Sequence, residues 1–181
     1  MIIFIQARMN SKRLPGKVLK KIEGKSLLGW MIERIKKSDV NFPIVVLTSD
    51  KESDDEIEEF CISNDVNVFR GELDNVIQRF NDAAYFFKEY EFFRLCADSP
   101  CFDPILLKSA AYLSEQNPDY DLITNVHPRS FPKGQSVELI KLDSFKKKCL
   151  LEGLDDIALS LERIKNIESF ENKMDQNKPW I

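Results

Sequence analysis

At 181 residues, 43% hydrophobic and 31% charged, the chain is long enough to fold as one domain, 1–181, around a real core. A net charge of −4 excludes the broad basic face of a general nucleic-acid binder, and no apolar run reaches the length of a membrane span. The N-terminus has no signal-peptide pattern. Cys61, Cys96, Cys101 and Cys149 form no CxxC pair and His127 stands beside none of them, so zinc is set aside and a cytoplasmic domain with reduced thiols is expected.

Residues 2–5 are a continuous apolar run and read as a buried first strand. Residues 26–37 carry Leu28, Met31, Ile32 and Ile35 at helical spacing. A second strand, 44–47, ends in Thr48-Ser49-Asp50. Ser53-Asp54-Asp55-Glu56 reads as a capping box that opens a helix with Ile57 and Phe60 inward. A third strand, 66–69, is expected to stop at Arg70-Gly71. A helix follows from about 74 to 88, with Val76, Ile77, Phe80, Ala83, Ala84 and Phe87 along one face. The fourth strand, 92–97, leads into Asp98-Ser99-Pro100. Asp103-Pro104 starts a helix, with Asp as N-cap and Pro at the first helical position. Strands at 122–126 and 137–141 flank an exposed loop, 127–134. Asp143 caps a helix reaching residue 150, and Ile157, Leu161 and Ile164 recur at helical spacing beyond it. Alternating strands and helices imply an α/β three-layer sandwich with a mainly parallel, Rossmann-like sheet.

Residues 6–25, QARMNSKRLPGKVLKKIEGK, hold seven positive side chains against the single acid Glu23, in a chain that is acidic overall. Leu14-Pro15-Gly16 breaks any helix and forces an exposed turn. A basic loop at the C-terminal end of the first strand is where an open α/β sheet binds ligands, and arginines beside Ser11 and Gly16 favour phosphate. A merely solvated basic loop is the alternative.

QARMNSKRLPGK resembles the N-terminal signature of the nucleotide-sugar cytidylyltransferases of the spore-coat-polysaccharide type, related to the acylneuraminate and 3-deoxyoctulosonate cytidylyltransferases. Three further blocks resemble that family in the same order: Phe69-Arg70-Gly71 with Asn75-Val76-Ile77 and Arg79-Phe80; Arg94 to Pro100 with Asp103-Pro104; and Arg129 to Gly134 with Val137-Glu138. Together they cover about residues 1–140.

The resemblance implies transfer of CMP from CTP to a sugar acceptor, with release of pyrophosphate, in polysaccharide or glycoconjugate biosynthesis. It implies that Arg8, Ser11, Arg13 and Lys17 hold the triphosphate, with Lys25, Arg79 and Arg94 as further nucleotide or phosphate contacts. Arg13, Lys17 and Asp98 are the expected catalytic residues, and Asp98, following a buried strand, is the expected ligand of Mg²⁺. Asn75, Arg129, Lys133 and Glu138 are expected near the acceptor, with His127 in the same loop. Asn75 and Arg79, at i and i+4, are expected to share a helix face. A structural ion pair is the alternative for Arg79 and Arg94, and Asp103 is assigned to capping alone. Expected partners are CTP or another nucleoside triphosphate and a sugar acceptor, with no nucleic acid and no membrane; a homodimer stays open. So do a GTP- or UTP-using enzyme and a non-catalytic nucleotide-binding module. Asn10 stands where the family has Gly, Asn75 where it has an acid, and the C-terminal part is short relative to the family.

Overall fold

Period-2 packing on both faces of one sheet explains why the strands read as unbroken apolar runs in this computed structural model, which describes residues 1–11, 13–145 and 167–169. The strands are β1 (Ile2–Gln6), β2 (Lys21–Ile22), β3 (Lys25–Ser26), β4 (Ile44–Ser49), β5 (Asn67–Gly71), β6 (Glu91–Cys96), β7 (Leu122–Thr124), β8 (Glu138–Lys141) and β9 (Ile167–Ser169). The helices are α1 (Leu27–Lys36), α2 (Asp55–Ser63), α3 (Val76–Phe86), α4 (Ile105–Gln116) and α5 (Leu142–Phe145). Apart from the small β2–β3 hairpin, the strands lie in the order β5-β4-β1-β6-β8-β7-β9. Strands β5, β4, β1 and β6 are mutually parallel, while β8 runs antiparallel to both β6 and β7.

Ile3, Ile5, Val46, Phe93, Leu95, Ile123 and Leu139 point to one face, under α1, α2 and α4. Their neighbours Ile2, Phe4, Val45, Leu47, Phe92, Leu122 and Ile140 point to the other, under α3 and α5. This second core is aromatic: Phe4 lies 5.3 Å from Phe92 and 6.0 Å from Phe80, ring centroid to ring centroid. Each such pair adds about 0.5–1.5 kcal/mol to the burial of the rings. Three layers follow directly, as the pattern predicts.

Several boundaries differ from the sequence reading. Ser26 caps α1 by accepting Gly29 N–H at 3.0 Å. Strand β5 continues through Arg70 and Gly71 rather than stopping there. Arg70 lies in the edge strand and reaches back to α2, where Nη2 donates to Asp55 at 2.6 Å and Nη1 to Glu58 at 2.5 Å. The Ser53–Glu56 capping box is not what opens α2: Asp54 makes no capping bond there and turns inward instead. Helix α4 begins at Ile105 with Pro104 in the N-cap position, one residue later than expected, and Asp103 Oδ1 accepts Ile105 N–H at 3.0 Å from just before it. Helix α5 is described only to Phe145, so the expected helix to residue 150 and the spacing at Ile157, Leu161 and Ile164 fall outside the described residues. No described helix is long and apolar enough to cross a membrane.

Candidate active site

The chain passes from β1 through β4 to β5 on one side of the sheet, then returns to place β6 on the other side of β1. The gap between the C-terminal ends of β1 and β6 is therefore the topological switch point, where an open α/β sheet leaves a crevice for ligands. The loop after β1 and the turn after β6 both open there.

Strand β1 is held to both neighbours one residue past each pairing: Ala7 N–H donates to Leu47 O and Ala97 N–H to Gln6 O, each at 3.0 Å. The loop then closes on Met9. Its carbonyl accepts both Ser11 N–H and Gly16 N–H, each at 2.8 Å. Gly16 sits at φ +68°, and a Cβ there would also lie 3.4 Å from the Met9 side chain. The left-handed backbone is what favours glycine there, since the Met9 methyl is at ordinary contact distance. Asn10 has no positive φ; its Nδ2 instead donates to Ser53 Oγ at 3.3 Å, so it does not act as a stand-in for glycine. Arg8 and Arg13 are exposed and Ser11 is half-buried, while Lys12 lies outside the described residues. Lys17 opens a short 3₁₀ turn anchored by buried Val18.

Lys17 Nζ contacts Asp98 Oδ2 directly, joining the basic loop to the turn after β6. The strand ends at Cys96, so Asp98 lies in the turn beyond it. Its carboxylate is 40% exposed and its Oδ1 accepts no hydrogen bond from the described residues. No cluster of three or more His, Cys, Asp or Glu able to hold a metal occurs among the described residues. One available carboxylate oxygen beside a basic loop still fits Mg²⁺, which takes one or two carboxylates and completes its shell with water and substrate phosphates.

The sequence reading missed Asp54. It is fully buried, and its Oδ1 accepts Met9 N–H at 2.8 Å. Its Oδ2 accepts Thr48 Oγ1–H and Ser49 N–H at 3.0 Å, and Ser49 Oγ–H at 2.5 Å. Burial pushes the carboxyl up, but the bonds from Ser49, Met9 and Thr48 outweigh it and leave Asp54 below the ordinary Asp value of 3.8. A depressed folded-state pKa contributes stability above the unfolded value, lost as pH falls through the folded one. Chemical denaturation from pH 7 to pH 2 is therefore expected to show a fall in stability below about pH 4, shallower in Asp54→Asn. Equal slopes in the two proteins would assign the acid lability to other carboxylates.

Other expected contacts are engaged elsewhere. Lys25 pairs with Glu33 of α1 and lies 4.7 Å from the Trp30 ring centre, which directs its charge along the helix and away from the loop. Asn75 caps α3, its Oδ1 accepting Gln78 N–H at 2.8 Å. Asn75 therefore precedes the helix rather than sharing a face with Arg79. Arg79 is 1% exposed and supports the turn before α3 from within, Nη1 donating to the Glu72 and Leu73 carbonyls. Arg94 and Glu138 face each other across β6 and β8 and form a buried ion pair. In this structure these four side chains and Lys25 are each engaged by neighbouring groups of the chain itself.

The loop carrying His127, Arg129 and Lys133 is clasped at its base. Buried Asn125 donates to Gln135 O at 2.7 Å and accepts Val137 N–H at 3.0 Å. Gln135 reaches the turn beyond Asp98, donating to Cys101 O and accepting Asp103 N–H, both at 2.8 Å. Arg129 donates to Ser136 at 3.2 Å and is exposed, as is Lys133. The loop thus hangs beside the Asp98 turn with its cations outward.

A cytidylyltransferase family model matches residues 2–151. The spore coat polysaccharide biosynthesis protein SpsF of Bacillus subtilis is 34% identical over 160 residues, 86% of this chain and 65% of that protein. A cytidylyltransferase structure from Leptospira borgpetersenii is similar with a TM-score of 0.85 at 32% identity, covering 95% of this chain and 76% of that one. The chain spans 57–65% of the length of the curated relatives it matches over most of its own length. A local match also relates 48 residues, 26% of this chain, at 58% identity to 24% of the 3-isopropylmalate dehydratase small subunit of Pelagibacter ubique. That share does not place the chain among the dehydratases.

Proposed function

This chain belongs to the cytidylyltransferase family, and from that premise we propose that it transfers CMP from CTP to a sugar acceptor. The observation that carries the reading is the meeting of the Arg8–Lys17 loop with Asp98, through the Lys17–Asp98 contact, at the switch point of the sheet. In the reaction an acceptor oxygen forms a bond to the α-phosphorus of CTP. The bond from that phosphorus to the oxygen bridging to the β-phosphate breaks, and pyrophosphate leaves with its electron pair. Such transfers require positioning and charge neutralisation more than covalent help from the protein.

Arg8, Ser11 and Arg13 are the groups proposed to grip the phosphates, the arginines as bidentate forks and Ser11 as a hydroxyl donor. Lys17 supplies a point charge at the reacting end, and Asp98 would hold Mg²⁺. When bound, the ion neutralises phosphate charge. Arg129 and Lys133 stand on the loop proposed to face the acceptor. The product class, a CMP-activated sugar, suits the synthesis of a surface polysaccharide or glycoconjugate.

Thermal unfolding with CTP, UTP, GTP and ATP, with and without Mg²⁺, tests this reading. A ligand of the native state at one hundred times its Kd stabilises by about 2.7 kcal/mol, or roughly 5–10 °C for a chain of this size. The expected result is a shift selective for CTP and dependent on Mg²⁺, followed by pyrophosphate release when an acceptor is supplied. A shift selective for another nucleotide would keep the site and change the base. Binding without pyrophosphate release from CTP in the presence of any sugar acceptor would make the chain a nucleotide-binding module. No shift with any nucleotide would end the reading.

A further inference from the structure

Met9 is the pivot of the basic loop, because its carbonyl closes both Ser11 and Gly16 onto it while its amide is surrendered to Asp54. Met9 lies directly between Arg8 and the rest of the loop, so fixing its peptide plane fixes where Arg8 leaves the sheet and where Ser11 and Arg13 begin. The fixing group is a carboxylate with no exposure, whose other oxygen is bound to the end of β4 by Thr48 and Ser49. A second tie runs beside it, from Asn10 to Ser53. An exposed loop is thereby docked on the connection after a neighbouring strand through a charged acceptor, a stronger bond than a neutral one.

We propose that Asp54 is a positioning residue for nucleotide binding, holding the Arg8–Lys17 loop in its phosphate-accepting shape before the nucleotide arrives. This rests on the reading that the same loop grips the triphosphate. A neutral amide at position 54 would keep the volume but could not accept from Met9, Thr48 and Ser49 together, since its nitrogen is itself a donor. The loop would then be ordered only at the expense of ligand affinity, as any site that is not preorganised must be.

The experiment compares Asp54→Asn, Thr48→Val and a control, Ser26→Ala, which loses a helix cap and none of the bonds to Asp54. Each is studied at a temperature where circular dichroism shows it folded. Two readouts are taken: the Kd for CTP with Mg²⁺ by calorimetry, and the rate of tryptic cleavage after Arg8 and Arg13 by mass spectrometry. The expected result for Asp54→Asn is a Kd raised about tenfold or more and cleavage accelerated by a similar factor. Thr48→Val, which keeps the carboxylate and removes one donor, moves both in the same direction by a smaller factor. Ser26→Ala lowers Tm and leaves both unchanged. Should Asp54→Asn not fold, Thr48→Val decides alone.

Unchanged Kd and unchanged cleavage in a folded Asp54 or Thr48 variant would overturn the proposal. Accelerated cleavage with an unchanged Kd would overturn it too, by showing that the loop Asp54 holds is not what sets nucleotide affinity. If the unaltered protein binds no nucleoside triphosphate, the functional reading fails; the cleavage rates then show separately whether Asp54 holds the loop, and unchanged rates would remove that role as well.

Discussion

Asp98→Asn is expected to lower nucleotidyl transfer about 100- to 1,000-fold, the range found when one preorganised charge-stabilising group is removed from an active site. The same change is expected to strengthen CTP binding in the absence of metal. Both outcomes follow from one contact. In the free protein Lys17 and Asp98 neutralise each other across the switch point, so the carboxylate competes with an incoming phosphate for the Lys17 charge. A carboxylate beside an incoming triphosphate also repels it. At full strength near a protein surface such a repulsion is about 4 kcal/mol at 4 Å. With Asp98 40% exposed, solvent screening reduces it to about 1 kcal/mol, or roughly a fivefold gain in metal-free affinity. Calorimetry of CTP with chelator, set beside pyrophosphate release with Mg²⁺, reads the two effects separately. Loss of affinity in both conditions would mean that Asp98 organises the loop rather than holding a cation. Unchanged turnover would remove it from the chemistry altogether.

Replacing Arg94 by Ala is expected to cost about 3–5 kcal/mol of stability, or about 10 °C in Tm, because it leaves the buried Glu138 carboxylate without its partner. The two lie directly opposite in the β6–β8 register, with side chains only 15% and 8% exposed. This is the seam where the parallel half of the sheet meets its antiparallel half, so the loss falls on the attachment of β8 and the loop before it. Replacing both residues by Leu is expected to cost less than the sum of the single changes, the signature of a coupled pair. Nucleotide affinity, measured where the variants are folded, is expected to stay unchanged. Single changes within 0.5 kcal/mol of the parent, or a loss of CTP affinity in folded Arg94→Ala, would return Arg94 to the ligand site.

The roles of these two side chains show where sequence reasoning stops. Arg94 and Glu138 are 44 positions apart, and nothing local to either says that β6 and β8 are neighbours. Lys25 and Glu33 are a similar case at shorter range: the basic character of residues 6–25 was legible, but not that the last of its lysines turns back along α1. Asn75 was legible as the start of a helix only from its neighbours, and its resemblance block drew it toward the acceptor instead. Asp54 is the clearest instance. Ser53-Asp54-Asp55-Glu56 has the composition of a helix start, and a helix does start there, yet the second residue of the motif serves the loop after another strand.

By itself the sequence determined the alternation of strands and helices, the burial of the central strands on both faces and a helix opening just after Asp103-Pro104. It also determined the family, and the concentration of positive charge in one loop after the first strand. These are carried by period, turn chemistry and contiguous motifs, which act over a few residues and so can be read along the chain. The tertiary structure alone decided which neighbour each of those charges meets. Lys17 meets Asp98 and Met9 meets Asp54 only because β1 lies between β4 and β6, an order set by how the two cores close over the sheet. Whether a buried charge serves structure or function depends on its partner, and partners are assigned by strand order, which no local pattern encodes.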